Sequence, residues 1–345
     1  MVTTLDDAKR NAIAVLLADV KAVQNFLIEI DQQLISECGD DDIRSRVRDM
    51  LRDDQKNIGI IDTVIVQYGI KAEPKSTITQ MIDQAKKLMQ GSQLSLLEKF
   101  SQFELLKHGQ TMKGLLVHKC AQVVGADIEA AITPLNAVNF ENRAHQEQLK
   151  GILEKIGVRE LTGKEADQGL WGRVQDAVAA LSGVAGSVIS RTDDEMNVQD
   201  VIRMDHNKVN MLFAQIEATD DPQKIQEYFG QIYKDLTVHA KAEEQVVYPK
   251  VRSFYGKTDD LYKEQDEMEV ILNQIKSMTP SSSNFKDELR QLRDLVMHHV
   301  QQEENEMFAV IRNNFSSDEQ EQLATQFKSA KSQLQDQMKS SSSMS

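Results

Sequence analysis

The feature that most constrains this fold is a series of long helical patterns separated by short breaks. In the second half of the chain, apolar residues recur with helical spacing over four stretches, with only TDD, YGKT and TPSSS between them. The predicted helices run over about Val198 to Ala218, Pro222 to Tyr255, Asp259 to Met278 and Asn284 to Asn314. Long helices joined by short connections pack as antiparallel neighbours. The pattern therefore predicts an up-down-up-down four-helix bundle.

The first half also has the pattern of long amphipathic helices, at least four of them before residue 157. The pattern weakens between Leu161 and Asp200, and we place the domain boundary there. A chain of 345 residues suits about two domains of ~150 residues each. We expect, in order, an N-terminal helical bundle at 1–158, a connector with a short small-residue helix at 159–197, the second bundle with a C-terminal helix at 198–336, and a disordered tail at 337–345.

Composition indicates an all-α fold for both halves. The chain is 40% hydrophobic but only 5% aromatic, and it has 5 prolines, so the aromatic and β-branched excess of a sheet protein is missing. Cys38 and Cys120 stand alone, without CxxC spacing. They are expected to be two reduced thiols and not a disulfide or a metal site.

Charge argues against nucleic acid and anionic membranes as partners. The formal net charge is −14, and no long basic stripe reverses it locally. Asp19 and Lys21 interrupt the apolar stretch near the N-terminus, and no run of eighteen apolar residues occurs. The expectation is a soluble cytoplasmic protein without signal peptide or membrane span.

Histidines and carboxylates recur at a helical interval in the second half. His239 precedes Glu243 by four residues, and His299 precedes Glu303 by the same interval, so each pair projects from one helix face. Apolar residues flank both pairs on that face, which directs the polar groups inward. A buried imidazole or carboxylate without a partner costs several kcal/mol. A shared cation would remove this cost.

A third histidine has a matching place in the first helix of this bundle. The intervals from His206 to His239, to Gln265 and to His299 are 33, 26 and 34 residues. In an antiparallel bundle, similar intervals return each position to a similar height. His206 is therefore expected beside the two pairs.

The order of these residues resembles the hemerythrin or HHE cation-binding domain family, over roughly residues 200 to 315. The resemblance implies a left-handed four-helix bundle around a non-haem di-iron centre. Imidazole and carboxylate ligands suit iron, although the spacing also permits manganese or zinc. The motifs that carry the resemblance are DH at 205–206, HAKAEEQVVYP at 239–249, EQ at 264–265 and HVQQEE at 299–304. The ligands it implies are His206, His239, Glu243, His299 and Glu303.

One position departs from the family pattern. The family has Glu-His on the third helix, where this chain has Glu264 followed by Gln265. The third-helix ligand would then be Gln265 itself, or Glu269 one turn along, or would be absent, leaving one metal or none. His298 is expected on the surface or behind the ligands, and Glu304 as a solvated neighbour.

The N-terminal half loosely resembles a ferritin-like bundle. Its acid-histidine pairs have the spacing ExxxH, where ferritin-like di-iron proteins have ExxH. A metal-free bundle and a second metal site both remain open. The residues of that second site would be Glu29, Glu104, His108, Glu141 and His145.

These patterns suggest an iron-binding protein that senses oxygen, nitric oxide or peroxide, handles iron, or serves in the response to oxidative stress. A di-iron oxidase or peroxidase-like enzyme is the first alternative. A metal-free structural or partner-binding protein is the second, with the small-residue stretch from Ala177 to Ile189 as a packing seam. No phosphate-binding loop or nucleophile motif is present. Enzymatic activity and homo-oligomerisation remain open.

Overall fold

The computed structural model describes residues 7–167, 169–185 and 196–343. Regular structure in these residues is helical throughout, without a strand. The all-α prediction is therefore confirmed. None of the helices in these ranges combines the length and apolar character needed to cross a bilayer.

The first half forms seven helices within the described ranges, and their ends follow local capping rules. Asp40 accepts a hydrogen bond from the Ile43 amide at the start of the second helix, and Gly69, at φ 82°, ends it. Ser95 and Glu98 form a capping box at the start of the fourth. The helices are α1 (Asp7–Glu37), α2 (Asp41–Tyr68), α3 (Ser76–Gln90), α4 (Leu96–Val124), α5 (Ala126–Ile132), α6 (Leu135–Thr162) and α7 (Leu170–Ala185).

The second half contains the four predicted long helices, two of which are interrupted by a π-helical turn. The final helix continues to Ser343, through most of the segment expected to be a disordered tail. The segments are α8 (Val198–Glu217), α9 (Pro222–Ala242), π1 (Glu243–Val247), α10 (Tyr248–Val251), α11 (Thr258–Lys276), α12 (Ser283–Gln302), π2 (Glu303–Met307), α13 (Phe308–Asn314) and α14 (Ser317–Ser343).

The N-terminal bundle is built from α1, α2, α4 and α6, with α3 packed on α1 and α7 on α6. Its apolar core forms two clusters, one around Leu34 and Phe103 and the other around Leu17 and Val64. The small-residue stretch Ala177 to Ile189 begins in α7, and its residues 186–189 lie outside the described ranges.

The second bundle has two apolar layers with polar residues between them. One layer includes Val209, Leu236 and Val296, and the other includes Ile202 and Ala242. The histidines of α8, α9 and α12 fall at the boundary between the layers, because each lies in sequence between residues of one layer and residues of the other. The bundle therefore places its polar groups near mid-height, away from solvent.

The two bundles touch through polar contacts to the C-terminal end of α2. The amide of Gln67 donates to the carbonyl of Val201 at 3.2 Å, and Lys208 donates to the carbonyl of Gln67 at 3.0 Å. From α14, Gln335 donates to the carbonyl of Val66 at 3.0 Å. The last helix thus packs on α8 and α9 and also contacts the first bundle.

Candidate metal centre

Five helical segments, α8, α9, π1, α12 and π2, bring the predicted ligand residues of the second bundle to one place. His206 comes from α8 and His239 from the last turn of α9, followed by Glu243 as the first residue of π1. His299 lies on α12, and Glu303 is the first residue of π2. Both carboxylates have 0% exposed surface, and the three histidines are at most 5% exposed. Water therefore does not hydrate these carboxylates and imidazoles.

Four of these residues enclose a space of the size of a single ion. The Nε2 of His206 lies 3.2 Å from Oε2 of Glu303, and the Nε2 of His239 lies 3.2 Å from Oε2 of Glu243. Ligand atoms of all four side chains lie within 4.8 Å of one another. Ligands at about 2.0–2.2 Å from a metal are separated by up to about 4.4 Å, so a small adjustment suffices to bind one ion.

His299 lies on the other side of Glu303. Its Nε2 is 3.4 Å from Oε1 of Glu303, while Oε2 of the same carboxylate faces His206. Glu303 therefore presents one oxygen to each side. This is the arrangement that a carboxylate shared by two ions would have.

Several buried polar atoms at the centre lack a hydrogen-bond partner among the described residues. Two of them are Oε1 of Glu243 and Oε1 of Gln265, and the other two are Nε2 of His206 and Oε2 of Glu303, which lie 3.2 Å apart as an ion pair but without hydrogen-bond geometry. A buried polar atom left without a partner costs about 1–3 kcal/mol. Because ligand atoms of His206, His239, Glu243 and Glu303 also lie within 4.8 Å of one another, the residues present fit a bound cation.

Each of the three imidazoles is held from behind by a carboxylate. The Nδ1 atoms of His239, His206 and His299 donate to carboxylate oxygens at 2.9, 2.8 and 2.7 Å. This hydrogen bond selects the tautomer whose Nε2 is free to bind a metal, and it is the usual partner of a metal-binding histidine. The three carboxylates are Asp205, Glu304 and Glu264, respectively.

Sequence reasoning did not assign these three carboxylates. Glu304 was expected to be a solvated neighbour, but it is half-buried and accepts from His206. Asp205 and Glu264 stand inside the DH and EQ motifs, so they could have been found by asking what orients each imidazole.

The last helix reaches the centre through Lys331. This ammonium group is 4% exposed and donates to Asp205, which also accepts from His239. Burial alone would raise the pKa of Asp205, but Lys331 and His239 hold it well below its usual range. α14 is thus linked to the imidazole by one shared carboxylate.

Without a metal, protons supply the positive charge of the centre. Burial alone would lower the pKa of His239, but Glu243 and Asp205 raise it to about 10. The pKa values of His206 and His299 are raised as well, against burial, by neighbouring glutamates. Burial opposes the shift of Glu303, whose pKa the imidazolium charges lower to about 2.

The two candidates on the third helix differ in position. Gln265 is 3% exposed, and its Nε2 donates to Glu243 at 2.8 Å. Glu269, one turn along, is exposed at the surface. His298 has 68% of its side chain exposed, on the outer side of Glu264. Of these residues, only Gln265 contacts the centre.

A narrow cavity of about 40 Å³ adjoins the centre. Most of its wall is apolar, from Val209, Leu236, Met268 and Val296, and the exposed Lys241 also lines it. A single water needs about 10–15 Å³ of such space, so the cavity can hold a diatomic molecule or a peroxide.

The residues of the predicted second site do not come together. Glu29 is half exposed and paired with Lys86. His108 is exposed and accepts from Gln146 at 2.9 Å. Among the described residues, the cluster of potential ligands in the second bundle is the one group of that kind. Glu104 and Glu141 are partly buried, but neither they nor His145 belong to such a group.

A lysine ammonium group occupies the polar core of the first bundle instead. Lys107, with 0% exposure, donates to Asp54 at 2.5 Å and to Nδ1 of His145 at 2.9 Å. Burial and the neighbouring Asp54 raise the pKa of Asp31 well above its usual range, although Lys107 opposes this. Of the residues predicted for a second metal site, His145 thus contacts a cation of the chain itself, Lys107.

Comparison with known proteins gives two relatives and one family. The model of the hemerythrin HHE cation binding domain matches residues 197–311. A protein of Nostoc sp. named DNA nickase is 64% identical over 339 residues, which is 97% of each chain. An uncharacterized hemerythrin-like protein of Schizosaccharomyces pombe is 27% identical over 139 residues, covering 39% of this chain and 68% of that one. No solved structure matches this chain significantly.

Proposed function

Because residues 197–311 form a hemerythrin HHE cation binding domain, we propose that the second bundle binds non-haem iron at two adjacent positions and responds there to oxygen, nitric oxide or peroxide. The observation that carries this proposal is the orientation of the imidazoles. Each has a carboxylate on Nδ1 and directs Nε2 towards the two buried glutamates. Iron in such a site supplies a redox-active Lewis acid.

The residues around the ligands favour a small molecule over a large one. Glu243 and Glu303 are fully buried, so a bulky substrate has no direct access to them. The adjoining cavity is narrow and mostly apolar, which suits an uncharged diatomic molecule or a peroxide. Gas or peroxide sensing, iron handling and oxidative-stress response all use such a site. Manganese and zinc are the alternative metals.

Metal analysis after anaerobic addition of ferrous iron tests the binding. We expect close to two irons per chain, and a higher melting temperature than in the chelator-treated protein, because a ligand of the native state stabilises it. In His239→Ala, most of this iron should be lost. His298→Ala, which removes an exposed histidine from the same bundle, serves as the control. Binding of much less than one iron per chain would contradict the proposal.

Peroxide consumption separates a sensor or store from an enzyme. A sensor or store should oxidise once, in proportion to its bound iron. Sustained turnover that disappears in His239→Ala would instead indicate a peroxidase-like enzyme. Both results require iron, so the measurement is made on the loaded protein with the His298→Ala variant beside it.

A second candidate function is DNA strand nicking. One observation favours it: the relative named DNA nickase matches this chain at 64% identity over nearly its full length. The net charge of −14 and the burial of the predicted ligands argue against direct access of a DNA phosphate to the centre. Nicking would therefore need local opening of the bundle or a different surface.

Conversion of supercoiled plasmid to the open circle tests this second function. Nicking that stops on chelation and in His239→Ala, but continues in His298→Ala, would assign DNA cleavage to the metal centre. Nicking that survives both treatments would place it elsewhere on the chain. No nicking under any metal would dismiss this candidate for this protein.

A further inference from the structure

We propose that Tyr248 is a ligand of the second metal position, so that the two positions of the centre differ chemically. This inference rests on the proposed function, because it requires that the second bundle binds iron. It assigns a tyrosine that the histidine and glutamate motifs do not include.

The hydroxyl group of Tyr248 lies among three predicted ligand atoms from two different helices. It is 2.7 Å from Oε1 of Glu303, 3.2 Å from Oε2 of Glu243 and 3.3 Å from Nε2 of His299. The side chain has 0% exposed surface. These separations are within the spacing of atoms that share one ion at about 2.0–2.2 Å.

The centre divides into two unlike positions. His206 and His239 form one group with the two glutamates, and His299 is outside that group. His299 instead adjoins Tyr248 and the Oε1 side of Glu303. The first position thus has two imidazoles, whereas the second has one imidazole and a phenol oxygen. Glu303 borders both.

The π turns explain why Tyr248 reaches the centre. In an α-helix, residues five apart are about 140° apart around the axis and face different directions. A π turn joins residue i to residue i+5, and the Tyr248 amide donates to the Glu243 carbonyl in this way. Glu243 and Tyr248 therefore stack one turn apart on the same face.

The second π turn provides an internal comparison. Glu303 begins it, and Phe308 holds the place that Tyr248 holds after Glu243. The Phe308 ring lies parallel to His206, with centroids 6.4 Å apart. A phenylalanine cannot bind a metal. The same helical device therefore presents a potential ligand to the second position and an apolar ring to the first.

Gln265 holds the Tyr248 oxygen at the centre. Its Nε2 donates to the Tyr248 oxygen at 2.6 Å, at the place where the family pattern has a histidine. An amide nitrogen has no free lone pair for a metal, so it holds the phenol oxygen in place instead. Tyr248 then supplies the ligand that the missing histidine would have supplied.

Metal binding by Tyr248 requires that its hydroxyl group lose a proton. In the metal-free chain, the Tyr248 hydroxyl donates a hydrogen bond to Oε1 of Glu303 at 2.7 Å. When the oxygen binds a metal ion, the O–H bond breaks, the proton leaves to solvent, and the oxygen lone pair forms the new bond. A nearby cation favours this loss, because it stabilises the anion.

Visible absorption of the ferric protein tests the assignment, since a phenolate bound to ferric iron absorbs visible light. We expect a visible band in the unmutated chain loaded with two irons. Tyr248→Phe should lose the band and hold the second iron more weakly, while the first iron remains. Tyr255→Phe, which removes a different buried tyrosine hydroxyl, should keep both.

The outcomes separate this inference from the proposed function. Two bound irons without a visible band, or a band that persists in Tyr248→Phe, would overturn the tyrosine ligand and leave iron binding intact. Failure to bind iron at all would overturn both. If Tyr248→Phe does not fold, ring-deuterated tyrosine in the unmutated chain decides. Its resonance Raman bands must shift if a tyrosine binds the iron, and unshifted bands overturn the assignment.

Discussion

At the scale of single residues, three carboxylates behind the imidazoles decide what the centre can bind. Without them, each imidazole would turn or change tautomer, and its Nε2 would not be presented. Glu264 is the simplest case, because it holds His299 at 2.7 Å and its other ion-pair contact among the described residues is to the exposed His298. Its effect on metal binding can therefore be measured in isolation.

We expect Glu264→Gln to lower iron affinity about 10–100-fold, which is the usual effect of losing such an orienting partner. The melting temperature of the metal-free protein should fall as well, because Glu264 also stabilises protonated His299. Competition with a chelator of known affinity measures the first quantity. Glu267→Gln, an exposed change on the same helix, is the control. Equal affinities for the two variants would show that Glu264 does not orient a ligand.

The shifted histidines predict how pH affects the metal-free protein. The pKa of His239 is raised from 6.5 to about 10, so its contribution to stability is complete below pH 6.5 and is lost as pH rises towards 10. The pKa of Glu303 is lowered from 4.5 to about 2, so its contribution is lost as pH falls through that range. Urea unfolding after chelation should show the greatest contribution of the centre between about pH 4.5 and 6.5.

Iron affinity should have the opposite dependence above pH 6.5. Metal binding requires neutral imidazoles, and raised pKa values mean that protons compete with iron at neutral pH. We expect apparent affinity to increase between pH 6.5 and 10, as measured by chelator competition. An affinity independent of pH over this range would mean that the histidines do not bind the metal.

At the scale of helices, the two π turns and the last helix add contacts to the centre that a plain four-helix bundle does not provide. Each π turn begins at a buried glutamate and aligns it with the aromatic residue five places later. α14 adds the ammonium group of Lys331 to Asp205. This helix contributes no predicted ligand, but it neutralises the carboxylate that orients His239.

Lys331→Met should destabilise the protein by about 3–5 kcal/mol, because it leaves Asp205 buried without its lysine partner. Urea unfolding of the chelator-treated protein measures this difference. Lys339→Met, an exposed change on the same helix, should be within about 0.5 kcal/mol of the unmutated chain. Similar values for the two variants would mean that the Lys331 contact contributes nothing to stability.

At the scale of the whole molecule, two helical bundles solve the same problem differently. Both bury acids and histidines in a helical core. In the first bundle, Lys107 neutralises Asp54, and burial raises the pKa of the neighbouring Asp31. In the second, ligand atoms of His206, His239, Glu243 and Glu303 lie within 4.8 Å of one another. The first bundle therefore carries its cation within the chain, and the second fits one from outside.

Lys107→Met should separate the two bundles in experiment. We expect a loss of about 3–5 kcal/mol in the free energy of unfolding, because Asp54 loses its buried partner. Iron stoichiometry and affinity should stay unchanged, since Lys107 makes no contact with the second bundle's predicted ligands. A fall in bound iron equal to that of His239→Ala would show that the first bundle holds part of the metal.

Helical class, the second bundle and the residues that meet in it were predictable from the sequence. Helical periodicity and the interval between His239 and Glu243 are local properties, because each turn of a helix repeats at a known angle. The family pattern added the order of the motifs. Spacing left a second metal site and a metal-free first bundle both open, because it does not show that Lys107 enters the same core.

Tertiary packing brings residues that are distant in the sequence into contact. Asp205 meets His239 across 34 residues and Lys331 across 126, and no local pattern encodes such pairs. The alignment of Tyr248 with Glu243 depends on a π turn, which the α-helical period does not predict. The helices and the residue types that they turn inward therefore follow from the local pattern of amino acids. Only packing decided which atoms face the common space, because that depends on how the helices are rotated against one another.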